Sequence, residues 1–286
     1  MRFSKVHGLG NDYIIINEFK EEVLPENQKA TISKLLCKRR FSIGADGILF
    51  VCPSTTENAD IRMRIFNIDG SEAEMCGNGI RCFAKYIFEN EIIKKTEMRV
   101  QTLAGIKIPT LTIKNGKVSS IKVDMGEPTL LRNEIPMKGV NTQVINERLS
   151  IGNAIYDVTC VSMGNPHCVI FTIEDLKNIE IEKGKAIEYN EVFPKRTNVE
   201  FIKVISPQEI QMRVWERGVG ETLACGTGAC AATVASILNE KTDRQITVHL
   251  LGGDLDIFWD ESNNHVYMTG TAEHIYDGEI DISKLI

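Results

Sequence analysis

The chain has 286 residues, 43% of them hydrophobic, with a formal net charge of −6, enough apolar material for one large domain or two ordinary ones with proper cores. An acidic balance argues against a general nucleic-acid binder, which shows a basic excess or stripe, and the basic run at Lys38–Arg40 reads as solvated surface. The opening "MRFSKVHGLGNDY" lacks the continuous apolar run of a signal peptide and no later stretch reaches transmembrane length, so a cytoplasmic protein with no membrane partner is expected.

In chain order, the first signal is "GNDYIIIN" from Gly10, a Gly-Asn pair before an apolar run, and then "IRMRIF" (Ile61–Phe66), whose alternation suits a half-buried strand. "MCGNG" (Met75–Gly79) opens a helical pattern in which Ile80, Phe83, Ala84, Ile87 and Phe88 share a face and leave Arg81, Lys85 and Glu89 to the others. From Gly105 to Pro128 strands are expected to meet at a hairpin on Asn115-Gly116, followed by a lobe boundary at Gly126–Pro128. "GNPHCVIF" from Gly164 then echoes the first Gly-Asn run, and "IQMRVW" (Ile210–Trp215) echoes the first alternating strand. "ACGTG" (Ala224–Gly228) opens the helix "ACAATVASIL", apolar nearly all round and therefore expected inside its lobe.

These echoes form a repeat. "MRIFNIDGSEAEMCGNG" (Met63–Gly79) and "MRVWERGVGETLACGTG" (Met212–Gly228) align without a gap, with Cys76 and Cys225 each 13 positions beyond the methionine. A duplicated lobe of roughly half the chain follows, an α+β fold of two pseudo-symmetric, β-rich lobes.

Eight cysteines in a reducing compartment point away from structural disulfides and toward buried, metal-binding or catalytic thiols. There is no C-x-x-C, and the only close Cys/His cluster is His167–Cys168, so no metal site is expected. Neither a phosphate loop nor a dinucleotide fingerprint is present. Cys37, Cys52, Cys82, Cys160, Cys168 and Cys230 read as small buried hydrophobes. Cys76 and Cys225 differ, because a glycine-flanked thiol at a helix N-terminus has free amides beside it and a lowered pKa, the surroundings of a reactive cysteine. The bland alternative is a duplicated turn that merely kept a convenient helix start. A thiolate and a thiol on opposite sides of a carbon could remove a proton from one face and return another to the opposite face, while the amides hold a carboxylate. His167, in the Gly-Asn echo, and Glu216, at the repeat position of Asn67, are the polar auxiliaries to consider.

The stretch "NIDGSEAEMCGNGIR" (Asn67–Arg81), with "HGLGNDY", "MGNPHCV", "RTNVEF" and "WERGVGETLACGTGAC", resembles the diaminopimelate epimerase family over nearly the whole chain. The resemblance implies barrel-like lobes each around a central helix, spanning about 1–126 and 127–273, with about 274–286 returning to the first. It implies that Cys76 and Cys225 are the acid/base pair, facing each other across a cleft, with His167 and Glu216 tuning them. Asn11, Asn67, Asn165, Asn198, Glu216 and Arg217 would contact the substrate diaminopimelate, while Gly77, Asn78, Gly226 and Thr227 would hold a carboxylate. Arg217 suits a distal carboxylate in fork geometry. No metal, pyridoxal phosphate or nucleotide is expected, and a homodimer is. One departure is Gly47, where some members of the family carry a substrate-contacting glutamine. The competing readings are a proline or hydroxyproline racemase-like enzyme on the same scaffold, and a thiol-switch binding protein in which the two cysteines bridge.

Overall fold

The computed structural model describes residues 1–152 and 154–284. The chain divides into two compact units, Met1–Val123 with Gly270–Ile286, and Asp124–Thr269. Its elements run β1 (Arg2–Gly8), β2 (Asn11–Asn17), α1 (Glu26–Leu36), β3 (Gly47–Cys52), β4 (Ile61–Asn67), β5 (Glu72–Ala73), α2 (Gly77–Glu89), β6 (Val100–Thr102), β7 (Gly105–Lys107), β8 (Thr110–Lys114) and β9 (Lys117–Asp124). They continue with β10 (Glu147–Ile151), β11 (Ala154–Ser162), β12 (Pro166–Phe171), α3 (Lys183–Glu188), β13 (Asn198–Ser206), β14 (Glu209–Glu216) and β15 (Gly220–Thr222). The last are α4 (Gly226–Leu238), β16 (Gln245–Leu250), β17 (Gly253–Trp259), β18 (Val266–Gly270) and β19 (Glu273–Glu279).

The duplication is visible in the strand ladder. In the first unit β1–β2 is antiparallel, β2–β3 parallel across α1, β3–β4 antiparallel, β4–β6 parallel across α2 and β6–β7 antiparallel. The second repeats that order as β11–β12, β12–β13 across α3, β13–β14, β14–β16 across α4 and β16–β17. Even the short β5 and β15 pair back on β4 and β14 in the same way. Parallel neighbours need a crossover, and here each crossover is a helix.

Side-chain patterns explain which strands lie where. β4 buries Ile61, Met63 and Ile65 alternately, as its period requires, whereas the continuous run Gly47–Val51 in β3 is buried throughout, as suits a strand covered on both faces. The hairpin between β8 and β9 turns on Asn115 (φ 51°) and Gly116 (φ 75°), the left-handed pair that a two-residue connection demands.

The two long helices differ in a way their sequences announce. α4 packs on β11, β12, β13, β14, β16 and β17 and is buried nearly all round. α2 packs on β1, β2, β3, β4 and β19, and two side chains expected on its other faces are buried: Arg81 is 0% and Lys85 9% exposed. A buried cation persists only if its N–H groups find acceptors. Arg81 donates to Gly77 O (3.3 Å), Asn78 Oδ1 (2.9 Å) and Thr271 O (3.2 Å), and Lys85 donates to Val118 O (2.9 Å) beside Glu89. Apolar periodicity could not register these, because their burial rests on backbone carbonyls far away in the chain. Among the described residues no helix is long and apolar enough to cross a membrane.

Candidate active site: two half-sites at matching helix starts

Both glycine-flanked cysteines are N-caps. Cys76 (φ −143°, ψ 125°) and Cys225 (φ −125°, ψ 109°) are extended, and each sulfur accepts the N–H of the third helical residue, Gly79 N at 3.5 Å and Gly228 N at 3.4 Å. The first-turn amides of a helix have no helical acceptor and carry the positive end of its dipole, so each half-site offers an anion cradle at Gly77-Asn78 and at Gly226-Thr227.

In the first unit Cys76 is half-buried, and the Tyr13 hydroxyl stands 2.9 Å from its sulfur. Asn11 Oδ1 accepts from Tyr13 Oη (2.7 Å) and Asn78 Nδ2 (3.2 Å) and lies 3.8 Å from Cys76 Sγ. Asn11 Nδ2 donates in turn to Asp46 (2.7 Å), which Arg39 also holds. The fold thus brings Asn11, Asn78 and Cys76 into one network. Asn67 stands at the end of β4, opposite Gly47 in register, and donates to Ser71 Oγ at 3.0 Å. Gly47 has no room for a side chain as the backbone lies: a Cβ there would sit 2.8 Å from Phe66 O and 3.4 Å from the Tyr13 ring.

In the second unit Cys225 is only 6% exposed. Thr227 Oγ1 lies 3.5 Å from its sulfur, Asn165 Nδ2 donates to Thr227 Oγ1 (3.3 Å), and Asn165 Oδ1 meets His167 Nε2 (3.0 Å). His167 Nδ1 lies 2.6 Å from Glu200 Oε1; both side chains are 0% exposed, and Glu200 Oε2 has no hydrogen-bond partner. Burial pushes the Glu200 carboxyl up, opposed by His167. Glu216, at the end of β14, accepts from the Thr222 hydroxyl. Its turn is held by Glu188, which takes the Gly218 N–H (2.9 Å) and the Trp215 indole N–H (2.8 Å). Asn198 donates to Pro166 O (2.8 Å) and accepts the Arg217 N–H (2.9 Å); the exposed Arg217 guanidinium reaches Lys195 O (3.1 Å).

One expectation is reversed. The helix start was to lower the thiol pKa, yet Cys225 is pushed well above the usual thiol value, first by burial and then by the charges of Glu216 and Glu200, against the smaller help of Thr227 and the Gly228 N–H. Desolvation outweighs the dipole there. Of the six thiols read as small buried hydrophobes, Cys37, Cys82, Cys160, Cys168 and Cys230 are buried and Cys52 is half-buried; burial raises Cys37 and Cys82 to about 12. Among the described residues no group of three or more His, Cys, Asp or Glu could hold a metal ion.

Among the residues of these networks that escaped the sequence reading are Tyr13, beside Cys76, and Glu200, behind His167. For Tyr13 the signal existed: aligning "GNDY" with "GNPH" sets it on His167. For Glu200 there was none, since a glutamate in a strand is ordinarily solvated and its partner is 33 positions away.

The fold is shared with a class of solved structures that includes a proline racemase-like protein and a PhzF-family protein. A solved probable proline racemase from Agrobacterium radiobacter matches with a TM-score of 0.72 at 13% identity over 98% of this chain and 93% of that one. A phenazine biosynthesis protein of the PhzF family from Bacillus anthracis matches with a TM-score of 0.71 at 17% identity over 99% of both. Within that class the chain belongs to the diaminopimelate epimerase family, an isomerase family, whose model matches residues 3–131 and 159–275. A diaminopimelate epimerase of Pelotomaculum thermopropionicum is 55% identical over 98% of each chain, and one of Moorella thermoacetica 50% identical over 99% of this chain and all of that one.

Proposed function

We propose that the chain interconverts L,L- and meso-diaminopimelate, with Cys76 and Cys225 as the two acid/base groups. The observation that carries this is the placing of both thiols as N-caps at the same point of a duplicated ladder, in a chain of this family. One thiolate takes the α-proton, so that an S–H bond forms as the C–H bond breaks and the electron pair spreads into the carboxylate. The other thiol then gives its proton to the opposite face of the carbon, and the two sulfurs end with exchanged protonation. General acid–base steps of this kind contribute about 10²–10⁴-fold in rate. The helix-start amides of Gly77-Asn78 and Gly226-Thr227 stabilise the charge that develops on the carboxylate, an oxyanion-hole contribution. Both proton carriers are side chains of the chain itself, so this reading calls on no cofactor.

Asn11, Asn67, Asn165, Asn198, Glu216 and Arg217 bind the substrate, and the guanidinium of Arg217 pairs with the distal carboxylate. His167 acts on Cys225 through Asn165 and Thr227, and Glu216 acts on it through its charge. The activity belongs to lysine and peptidoglycan-precursor synthesis in the cytoplasm, and the dimer common in the family is the assembly to look for by light scattering. The test is incubation of reduced protein, with chelator, with L,L-diaminopimelate in deuterated water. Meso product carrying α-deuterium supports the reading; absence of conversion and exchange in folded, reduced protein, or turnover of proline instead, overturns it.

A further inference from the structure

Tyr13 is 5% exposed, and its hydroxyl is the polar side-chain atom nearest to Cys76 Sγ, at 2.9 Å. The ring is flanked by two glycines. Gly47 pairs with Tyr13 across β2–β3, and a Cβ on it would lie 3.4 Å from the ring, while a Cβ on Gly79, at the first turn of α2, would lie 3.6 Å from Tyr13 Cζ. The position is also the repeat counterpart of His167. Gly10, Asn11 and Tyr13 align with Gly164, Asn165 and His167, and both aromatic side chains stand next to the parallel strand at matching registers, Tyr13 beside Gly47 and His167 beside Asn198.

A phenol has one proton to donate, and two acceptors stand within reach of this one: Cys76 Sγ at 2.9 Å and Asn11 Oδ1 at 2.7 Å. When Cys76 is a thiol, its S–H can donate to Tyr13 Oη while the phenol donates to Asn11. When Cys76 is a thiolate, the phenol proton belongs on the sulfur, since hydrogen bonds to charged acceptors are the stronger ones. Burial first, and then the charge of Cys76, hold the phenol pKa well above its usual value, so it remains a donor throughout. The other titratable groups near it are Cys82 from α2 and Asp46 before β3, the latter engaged by Asn11 and Arg39. The buried Arg81 cation of α2 is turned to Asn78 and backbone carbonyls.

We infer that Tyr13 is a catalytic residue of the Cys76 half-site, its hydroxyl donating to the thiolate and swinging to Asn11 Oδ1 once Cys76 has taken the substrate proton. It neither gains nor loses a proton overall: the S–H bond forms, the C–H bond breaks, and the phenol O–H only changes acceptor. This rests on the two-thiol reading for its catalytic meaning, but its hydrogen bond can be read without turnover.

The experiment measures Cys76 alkylation by iodoacetamide against pH in Cys225→Ala protein, site by site by mass spectrometry, with and without Tyr13→Phe. Loss of the donor is expected to move the Cys76 midpoint up by about one pH unit, a tenfold loss of thiolate at lower pH. In the Cys225-intact enzyme, Tyr13→Phe is expected to lower kcat about tenfold in both directions, as the fixed equilibrium constant requires, with KM little changed and partial recovery at alkaline pH. Site-specific fluorotyrosine at position 13, which keeps the ring and strengthens the donor, is expected to move the midpoint the other way and serves if Tyr13→Phe does not fold. An unmoved midpoint in folded Tyr13→Phe protein, or in the fluorotyrosine protein, overturns the inference. Absent deuterium exchange by the wild type would overturn the epimerase reading instead, leaving the alkylation result to judge Tyr13 on its own.

Discussion

The two helix starts share a backbone and differ in what surrounds the sulfur. At Cys76 the neighbours are a phenol and the Asn11 amide, with the apolar Leu49 beside Gly79; at Cys225 they are a threonine–asparagine–histidine–glutamate chain, with Glu200 at the ladder position that Leu49 holds in the other unit. The contrast shows in a single atom. A Cβ on Gly79 would meet Leu49 Cδ2 and Cys76 Cβ at ordinary contact, 3.4 Å, whereas one on Gly228 would lie 2.9 Å from Glu200 Oε1 and 3.2 Å from Cys225 Cβ. Duplication supplied two equivalent thiols, and divergence of the strand residues beneath them supplied two chemical environments. An enzyme whose two substrates are different stereoisomers has no need of identical half-sites.

That comparison can be broken in several ways. The largest effect is expected from Cys76→Ala and Cys225→Ala, each of which should lower epimerisation by about 10³-fold or more if both thiols carry protons; a variant that keeps near-normal stereoinversion would reduce the pair to a single base. Next, Gly228→Ala should cost about 1–3 kcal/mol in denaturant unfolding, since the added methyl must displace a buried carboxylate and its cap. Gly79→Ala should be neutral or stabilising by about 0.5–1 kcal/mol, because alanine loses less backbone entropy in a helix. Equal effects of the two would mean that the starts are alike after all.

A smaller difference should separate the thiols themselves. Cys225 is buried and held well above the usual thiol pKa, while Cys76 is half-buried, so in unligated protein at neutral pH Cys76 is expected to alkylate faster. Mass spectrometry of the labelled peptides measures this, and equal rates would contradict it. The smallest effect concerns Glu200. Its folded pKa is raised above the ordinary 4.5 by burial, so the stability it contributes is full below about 4.5 and is lost as the pH rises through the raised value. Glu200→Gln, which mimics the protonated form, should flatten that decline in thermal unfolding curves taken across this window. An unchanged slope would mean that another group is responsible.

Much of this is legible in the sequence. The Met-to-Cys interval, repeated at Met63–Cys76 and Met212–Cys225, fixed both N-caps and the alternation of β4 and β14, because strand and helix periods are local properties. The hairpin at Asn115-Gly116 was equally local. What escaped depends on contacts distant in sequence. Arg81 lies on a face that periodicity assigns to solvent, and it is buried because Thr271 supplies a carbonyl from 190 positions away. Cys225 breaks the helix-dipole expectation because burial, with the charges of Glu216 and Glu200, raises its pKa more than the helix start lowers it. Asn11, Asn165 and Thr227, which the resemblance names as substrate contacts, lie in the hydrogen-bond networks beside the two cysteines, but the partner that touches Cys76 most closely, Tyr13, became visible only once β2 was set beside α2.

β1, the first strand made, pairs with β19, nearly the last, with Arg2 opposite Glu279 and the N-terminal amine donating to Ile280 O at 2.8 Å. Arg81, which braces the Cys76 helix start, likewise waits for the Thr271 carbonyl. On the ribosome the order of completion is therefore inverted: the Asp124–Thr269 unit has its strands before β19 is made, while the unit that is begun first waits for β19 to close. A nascent chain that stalls between Gly270 and Glu279 leaves the Cys225 half-site with its strands and the Cys76 half-site without its last one.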